Sequence, residues 1–126
     1  MKNILKAVLA ALACVSLQAF AAGANELTVH QSIRINAPPE AVWAVVGDFN
    51  GMPRWLAPIV ESKIVLGTNN QVGAIRQFTR RNGTKATERL IDYDPAAMRI
   101  GYTYVDGAVM ASDYFPVMTV KAAPAR

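Results

Sequence analysis

Hydrophobic and polar residues alternate between Leu27 and Ile35. The apolar positions are Leu27, Val29, Ile33 and Ile35, and Gln31 is the one polar residue that falls on their parity. A period of two residues is typical of a strand that buries one face. The pattern therefore predicts a first β-strand over residues 27–35.

The spacing of apolar residues becomes helical after Pro38-Pro39. Proline disfavours continuation of the strand and presets the first helical turn, and Glu40 stands where the helix dipole favours negative charge. An apolar stripe at helical spacing follows, formed by Val42, Trp43, Val45 and Val46. The breaker segment Asp-Phe-Asn-Gly over 48–51 ends it. We expect a short helix here and a second one around Trp55.

Further strands follow the helices, separated by turn signals. The predicted strands are Ser62–Leu66, Val72–Arg80, Thr84–Tyr93, Met98–Val105 and Asp113–Ala122. The predicted turns are Gly67–Asn70, Arg81–Gly83, Asp94–Ala97 and Asp106-Gly107. Pro116 favours an edge position or a bulge for the last strand. The order predicts an α+β fold, with an antiparallel meander behind two short helices.

The turn at Arg81-Asn82-Gly83 sets which residues face each other in the central hairpin. A three-residue loop places Arg76 opposite Glu88 and Phe78 opposite Ala86. An arginine and a glutamate would then lie on a face that also carries Phe78 and Leu90, which suggests a polar pair inside an apolar cavity. An exposed ion pair of little energetic value is the alternative. A two-residue turn would instead pair Arg76 with Arg89.

The first 24 residues have the order of a secretion signal. Lys2 and Lys6 form a positive start, and the apolar stretch Ala7–Leu17 is too short to span a bilayer. Small residues follow, so that cleavage after Ala21 or after Ala24 fits equally well. We expect export to the periplasm without a stable membrane anchor; an uncleaved N-terminal anchor is the alternative.

Composition narrows the chemistry of the mature domain, predicted over 25–122 with a disordered tail at 123–126. Cys14 lies in the leader, so the exported chain would contain no disulfide and no thiolate nucleophile. His30 is the single histidine, and one histidine without further ligands at metal spacing forms no zinc site. We therefore expect no metal, no cofactor and no assembled catalytic residues.

The charge balance gives no sign of a nucleic-acid partner. Without Lys2 and Lys6 the chain contains 11 Lys and Arg residues and 9 Asp and Glu residues, which gives a net charge of about +2. Arg80-Arg81 is the one basic doublet and adjoins Asn82-Gly83, a turn signal. A solvated hairpin tip explains the doublet better than a nucleic-acid footprint, which needs a clustered basic stripe.

The segment IRINAPPEAVWAVVGDFNGMPRWLAPIV resembles the opening of START-like (SRPBCC, polyketide cyclase/dehydrase and lipid transport) domains, which have a helix-grip fold around a ligand cavity. Together with GTNNQVGAIRQFT and ERLIDYDPAAMRIGYTYV, it is most similar to the MxaD-like periplasmic proteins associated with methanol dehydrogenase. The resemblance implies a non-catalytic module that binds a small apolar ligand or a protein partner, methanol dehydrogenase or its cytochrome. The alternative is a polyketide cyclase/dehydratase-like enzyme that uses a cavity acid–base group.

The same resemblance implies a set of cavity residues on the inward face of the sheet and at its mouth. The predicted ligand-binding residues are Trp55, Arg76, Phe78, Glu88, Leu90 and Tyr102. Trp55 plugging the helix–sheet junction is the simpler alternative for that residue. In the family a final strand and a long C-terminal helix close the cavity, and neither has a counterpart before Arg126. We therefore expect a domain truncated before that helix, with a homodimer or a bound partner covering the open face.

Overall fold

A computed structural model describes residues 27–107 and 114–124. The chain divides into two units, residues 1–33 and residues 34–126. The second unit contains the helix α1 (Pro39–Val46), a 3₁₀ helix (Phe49–Arg54) and the strands β1 (Ile59–Leu66), β2 (Ile75–Arg80), β3 (Lys85–Asp94), β4 (Arg99–Gly107) and β5 (Val117–Thr119). The predicted α+β class is confirmed.

The five strands form one antiparallel sheet in the order β1-β2-β3-β4-β5, so each strand pairs with its neighbour in sequence. This order is the predicted meander. The buried apolar residues fall into two clusters between the inner face of the sheet and the helices that pack against it. One contains Phe49, Ala74, Leu90 and Ile100, and the other contains Met52, Ile59, Phe78 and Ala86.

The helix α1 begins and ends as its sequence predicts. Pro38 is the extended residue before the helix, Pro39 opens it, and Glu40 lies in its first turn. It ends at Val46, and the N–H of the following residue, Gly47, donates to the carbonyl of Trp43 at 2.8 Å. Trp43 packs against the first buried cluster, so the apolar stripe anchors the helix to the sheet. The second helix lies just before Trp55 and is a 3₁₀ helix.

The hairpin between β2 and β3 has the register predicted from a three-residue loop. Arg76 lies opposite Glu88 and Phe78 opposite Ala86. The N–H of Arg80 donates to the carbonyl of Thr84 at 2.8 Å, which closes the loop over residues 81–83. The alternative pairing of Arg76 with Arg89 is therefore wrong.

The predicted first strand is wrong, because residues 27–35 contain no regular secondary structure and their side chains are exposed. Alternation indicates which face of a strand would be buried, but it does not supply a neighbour. A strand is stable only when its backbone groups pair in a ladder. The described sheet has β1 and β5 at its edges and does not include this segment.

The last two strands differ in length from their predictions. The strand β4 continues through Gly107, so the turn predicted at Asp106-Gly107 is not present at those residues. The strand β5 has three residues and begins directly after Pro116, as expected where proline cannot donate to a ladder. Residues 120–124 form neither helix nor strand. The leader with its cleavage sites, Asp113 and the last two residues lie outside the described part.

Candidate functional site

Arg76 and Glu88 form a buried ion pair on the inner face of the sheet. The Nε and Nη2 atoms of Arg76 both donate to Oε2 of Glu88, at 2.8 and 2.6 Å. The two residues are only 2% and 3% exposed. A charge is tolerated at such burial because the partner is adjacent and hydrogen-bonded. Of the two arrangements expected from the sequence, the structure therefore shows the pair buried in the apolar interior and excludes the exposed ion pair.

Aromatic rings enclose the guanidinium of Arg76 from the side of the helices and from β4. Its central carbon lies 4.2 Å from the centre of the Phe49 ring and 4.7 Å from that of Tyr102. Its Nη1 atom donates to the carbonyl oxygen of Phe49. Among the described residues no buried side-chain polar atom lacks a hydrogen-bond partner. The buried polar atoms of Arg76 and Glu88 therefore all have hydrogen-bond partners.

Burial sets the protonation of the groups around this pair. It raises the pKa of Glu88, although Arg76 opposes that rise by charge and by hydrogen bonding. Burial, with the neighbouring Glu88 carboxylate, raises the pKa of Tyr102 to about 12. Burial also raises the pKa of Tyr104. The inner face consequently carries neutral phenols beside a carboxyl group that is costly to ionise.

The loop before β2 fixes the position of Phe49, and sequence reasoning did not identify it. The Phe49 N–H donates to Oδ1 of Asn70 at 2.9 Å, and the Asn50 N–H donates to Oδ1 of Asn69 at 3.1 Å. Nδ2 of Asn69 in turn donates to Asp48 at 2.7 Å. The available sequence signal was the pair of consecutive asparagines in the predicted turn, and the structure gives Asn70 a φ of 63°. The network holds the Phe49 ring and carbonyl against Arg76.

The six predicted cavity residues all lie on the inner face or at its margin, but they differ in access. Arg76, Phe78, Glu88 and Leu90 are buried, whereas Tyr102 and Trp55 are half-buried and pack at the edges of the two clusters. A molecule that approached this face would touch Tyr102 and Trp55 before the other four. Tyr104, which lies opposite Glu88 on β4, is half-buried in the same way and was not among the predicted residues.

Other candidate sites are sparse in the described residues. His30 is exposed. No group of three or more histidine, cysteine or acidic residues could hold a metal ion within 27–107 and 114–124. No helix in those ranges is long and apolar enough to cross a membrane. A surface cleft of about 720 Å³ is lined by Arg34, Ile35, Asn36, Ala37, Pro38 and Ala123, none of which belongs to the inner-face pair.

Comparison with known proteins places the fold among related domains. The profile of the family described as "Polyketide cyclase / dehydrase and lipid transport" matches residues 26–126. The protein XoxI from Bacillus cereus is 27% identical with a TM-score of 0.64, over 71% of this chain and 59% of that one. An uncharacterised protein from Bacillus thuringiensis is 26% identical with a TM-score of 0.67, over 74% and 64%. The chain thus spans about three fifths of the length of these solved structures.

Proposed function

Because the chain belongs to the polyketide cyclase/dehydrase and lipid transport family, we propose that it is an exported, non-catalytic START-like module that binds a small apolar ligand or a partner protein. The observation that carries this proposal is that the Arg76–Glu88 pair is buried and its members are hydrogen-bonded to each other. A carboxyl group on an apolar face can have either a catalytic or a structural role, and whether a substrate can reach it distinguishes the two.

A general acid or base must come within hydrogen-bonding distance of the atom that gains or loses the proton. Oε2 of Glu88 already accepts two hydrogen bonds from Arg76, and the whole residue is 3% exposed. Arg76 in turn is held by Phe49. These contacts support an architectural role, in which the pair forms the floor beneath the aromatic residues that a ligand would contact.

The rival function is a cyclase/dehydratase-like enzyme in which Glu88 transfers protons and Arg76 stabilises the charge that develops. One observation favours it: burial raises the pKa of Glu88, and carboxyl groups of raised pKa occur at catalytic sites. The same shift arises from any buried carboxyl group, however, so it supports the enzyme only if a substrate can displace the neighbouring side chains.

The proposed ligand surface is the half-buried aromatic margin formed by Trp55, Tyr102 and Tyr104. Aromatic rings offer large apolar area, and the two phenols would orient a ligand through their hydroxyl groups.

The experiment that tests this surface is a titration of the purified protein with a fluorescent fatty acid. We expect Tyr102→Ala to weaken probe binding about tenfold, since one such side chain removes on the order of 1.5–3 kcal/mol of apolar contact.

The matched controls separate the two functions. Gln77→Ala changes the outer face of β2 and should leave probe binding intact, and Glu88→Gln should also retain it. Loss of a polyketide-cyclising activity in Glu88→Gln, together with wild-type turnover of a poly-β-ketone substrate, would establish the enzyme instead. A protein that binds neither the probe nor a partner overturns the proposal.

The narrower role that we propose is assistance to electron transfer between a periplasmic methanol dehydrogenase and its cytochrome. It rests on the resemblance to MxaD-like proteins.

The proposed export has its own test. Intact-mass measurement of the exported protein should give a chain that begins after Ala21 or after Ala24; a mass that retains residues 1–17 contradicts export with cleavage. Addition of the protein should accelerate cytochrome reduction by methanol dehydrogenase, and an unchanged rate removes this narrower role.

A further inference from the structure

The strand β1 presents an eight-residue edge to its surroundings in the described part of the chain. It pairs with β2 on one side, and the sheet order places no other described strand beside it. Val60, Val65 and Leu66 are 52%, 49% and 57% exposed along it. Irregular register near both ends leaves Glu61–Ile64 as the regular stretch. An edge with unpaired backbone groups and exposed apolar residues is a template for a further strand.

The side chains of this regular stretch carry a charge pattern that selects the added strand. Glu61 and Lys63 are both exposed and lie two residues apart, so they project from the same, outer face. Ser62 projects from the inner face, where its hydroxyl donates to Oδ1 of Asn50 at 2.9 Å. In an antiparallel second copy of the strand the order of these two charges is reversed. Each negative charge can then lie opposite a positive one.

We propose that β1 pairs with β1 of a second copy of this chain, antiparallel, with Ser62 opposite Ser62 of the second copy. This register places Glu61 of each copy opposite Lys63 of the other, so two cross-strand ion pairs form about one two-fold axis. Val60 then lies opposite Ile64 of the second copy. The two sheets join into one continuous sheet.

The alternative antiparallel registers are less favourable. Residues that face each other must project from the same face, so the nearest allowed shifts move the pairing by one pleat. One of these shifts places Lys63 opposite Lys63, and the other places Glu61 opposite Glu61. Like charges directly opposite each other destabilise a strand pair. The charge pattern therefore selects a single register, and this inference stands independently of the ligand-binding proposal.

The test is sedimentation velocity over a concentration series, with protein purified from cells that express the full chain. The wild type should dimerise with rising concentration. Lys63→Glu and Glu61→Lys should each weaken the dimer about tenfold or more, because each converts two attractive pairs into two repulsive ones. The double swap Glu61→Lys/Lys63→Glu should restore the wild-type affinity.

A mixture of the two single variants gives the sharpest result. The Lys63→Glu chain has two acidic residues at these positions and the Glu61→Lys chain has two basic ones, so the mixed dimer should form more tightly than either homodimer. Lys85→Glu makes the same charge change on β3, away from the edge, and should leave the dimer unchanged. A wild type that stays monomeric overturns the proposal. So does a dimer that is insensitive to the single reversals, or that Lys85→Glu weakens equally.

Discussion

Arg76 on β2 and Glu88 on β3 lie directly opposite each other and share two hydrogen bonds beneath the rings of Phe49 and Tyr102. Each residue alone would be a costly buried charge. Together they let the sheet carry polar groups in the middle of its apolar face, because the desolvation of one is offset by its contact with the other.

Replacement of Arg76 by methionine should destabilise the domain by about 3–5 kcal/mol near neutral pH. The apolar part of the side chain is roughly preserved, but the Glu88 carboxylate is left buried without its partner. Urea unfolding followed by circular dichroism measures the difference. The double variant Arg76→Met/Glu88→Leu should recover most of the loss, because it removes both charges. If the double variant is as unstable as the single one, shape rather than charge explains the effect.

The pH dependence of Arg76→Met follows from the pKa of Glu88. Burial raises that pKa, and the lowering influences of Arg76 are absent in the variant. A carboxyl group with a folded-state pKa above its unfolded value holds its proton more tightly in the fold. Stability is therefore highest below the ordinary pKa of 4.5 and falls as the pH rises through the folded-state pKa. The deficit of the variant should narrow on acidification; a deficit that is constant with pH contradicts this account.

The sequence was sufficient to predict the register of Arg76 and Glu88, since the loop Arg81-Asn82-Gly83 fixes the pairing of its flanking residues. It did not predict how deeply the pair is buried. That depends on Phe49, which lies 27 residues before Arg76 in the chain and is positioned by Asn70. Contacts of this kind join segments whose spacing follows no local period, so a reading of local patterns cannot find them.

The segment over 27–35 illustrates the opposite failure. Its apolar and polar residues alternate, but a strand also requires that its backbone groups pair with a neighbour, and this segment pairs with neither edge strand of the described sheet. β3 lies between β2 and β4, so pattern and pairing agree. Hydrophobic periodicity indicates that one face of a segment favours burial. Whether the segment joins a sheet depends on backbone hydrogen bonding to a neighbouring strand.

Replacement of Gly47 by alanine should destabilise the domain by about 1–3 kcal/mol, the usual effect of overpacking. The backbone at Gly47 has φ −82° and ψ −4°, which alanine adopts freely, but an added Cβ would overlap the indole ring of Trp43. Thermal unfolding measures the change. In a Trp43→Leu background the same substitution should cost much less, because the two sites share this contact. Equal costs in both backgrounds would place the effect elsewhere.

Replacement of Asp48 by alanine should destabilise the domain by about 0.5–2 kcal/mol, the usual cost of losing a helix cap. Oδ1 of Asp48 accepts from the N–H of Asn50 at 3.2 Å and from Nδ2 of Asn69 at 2.7 Å. The substitution frees both the 3₁₀ helix and the loop that holds Phe49. Chemical unfolding quantifies it, with Asp48→Asn as the control that keeps an acceptor. If Asp48→Asn is as damaging as alanine, the charge rather than the cap is responsible.

Tyr102 should ionise only at unusually high pH and should make the fold sensitive to strong alkali. Burial beside Glu88 raises its pKa from 10.0 to about 12, so the folded state retains the phenolic proton over a range in which the unfolded chain releases it. The displacement corresponds to at most about 2.7 kcal/mol. This stability is fully present below pH 10 and is lost as the pH rises through about 12. Ultraviolet titration of tyrosinate should therefore show a late step that is absent in Tyr102→Phe, and the variant should lose less stability above pH 10. A late step that persists in Tyr102→Phe would assign the raised pKa to another tyrosine.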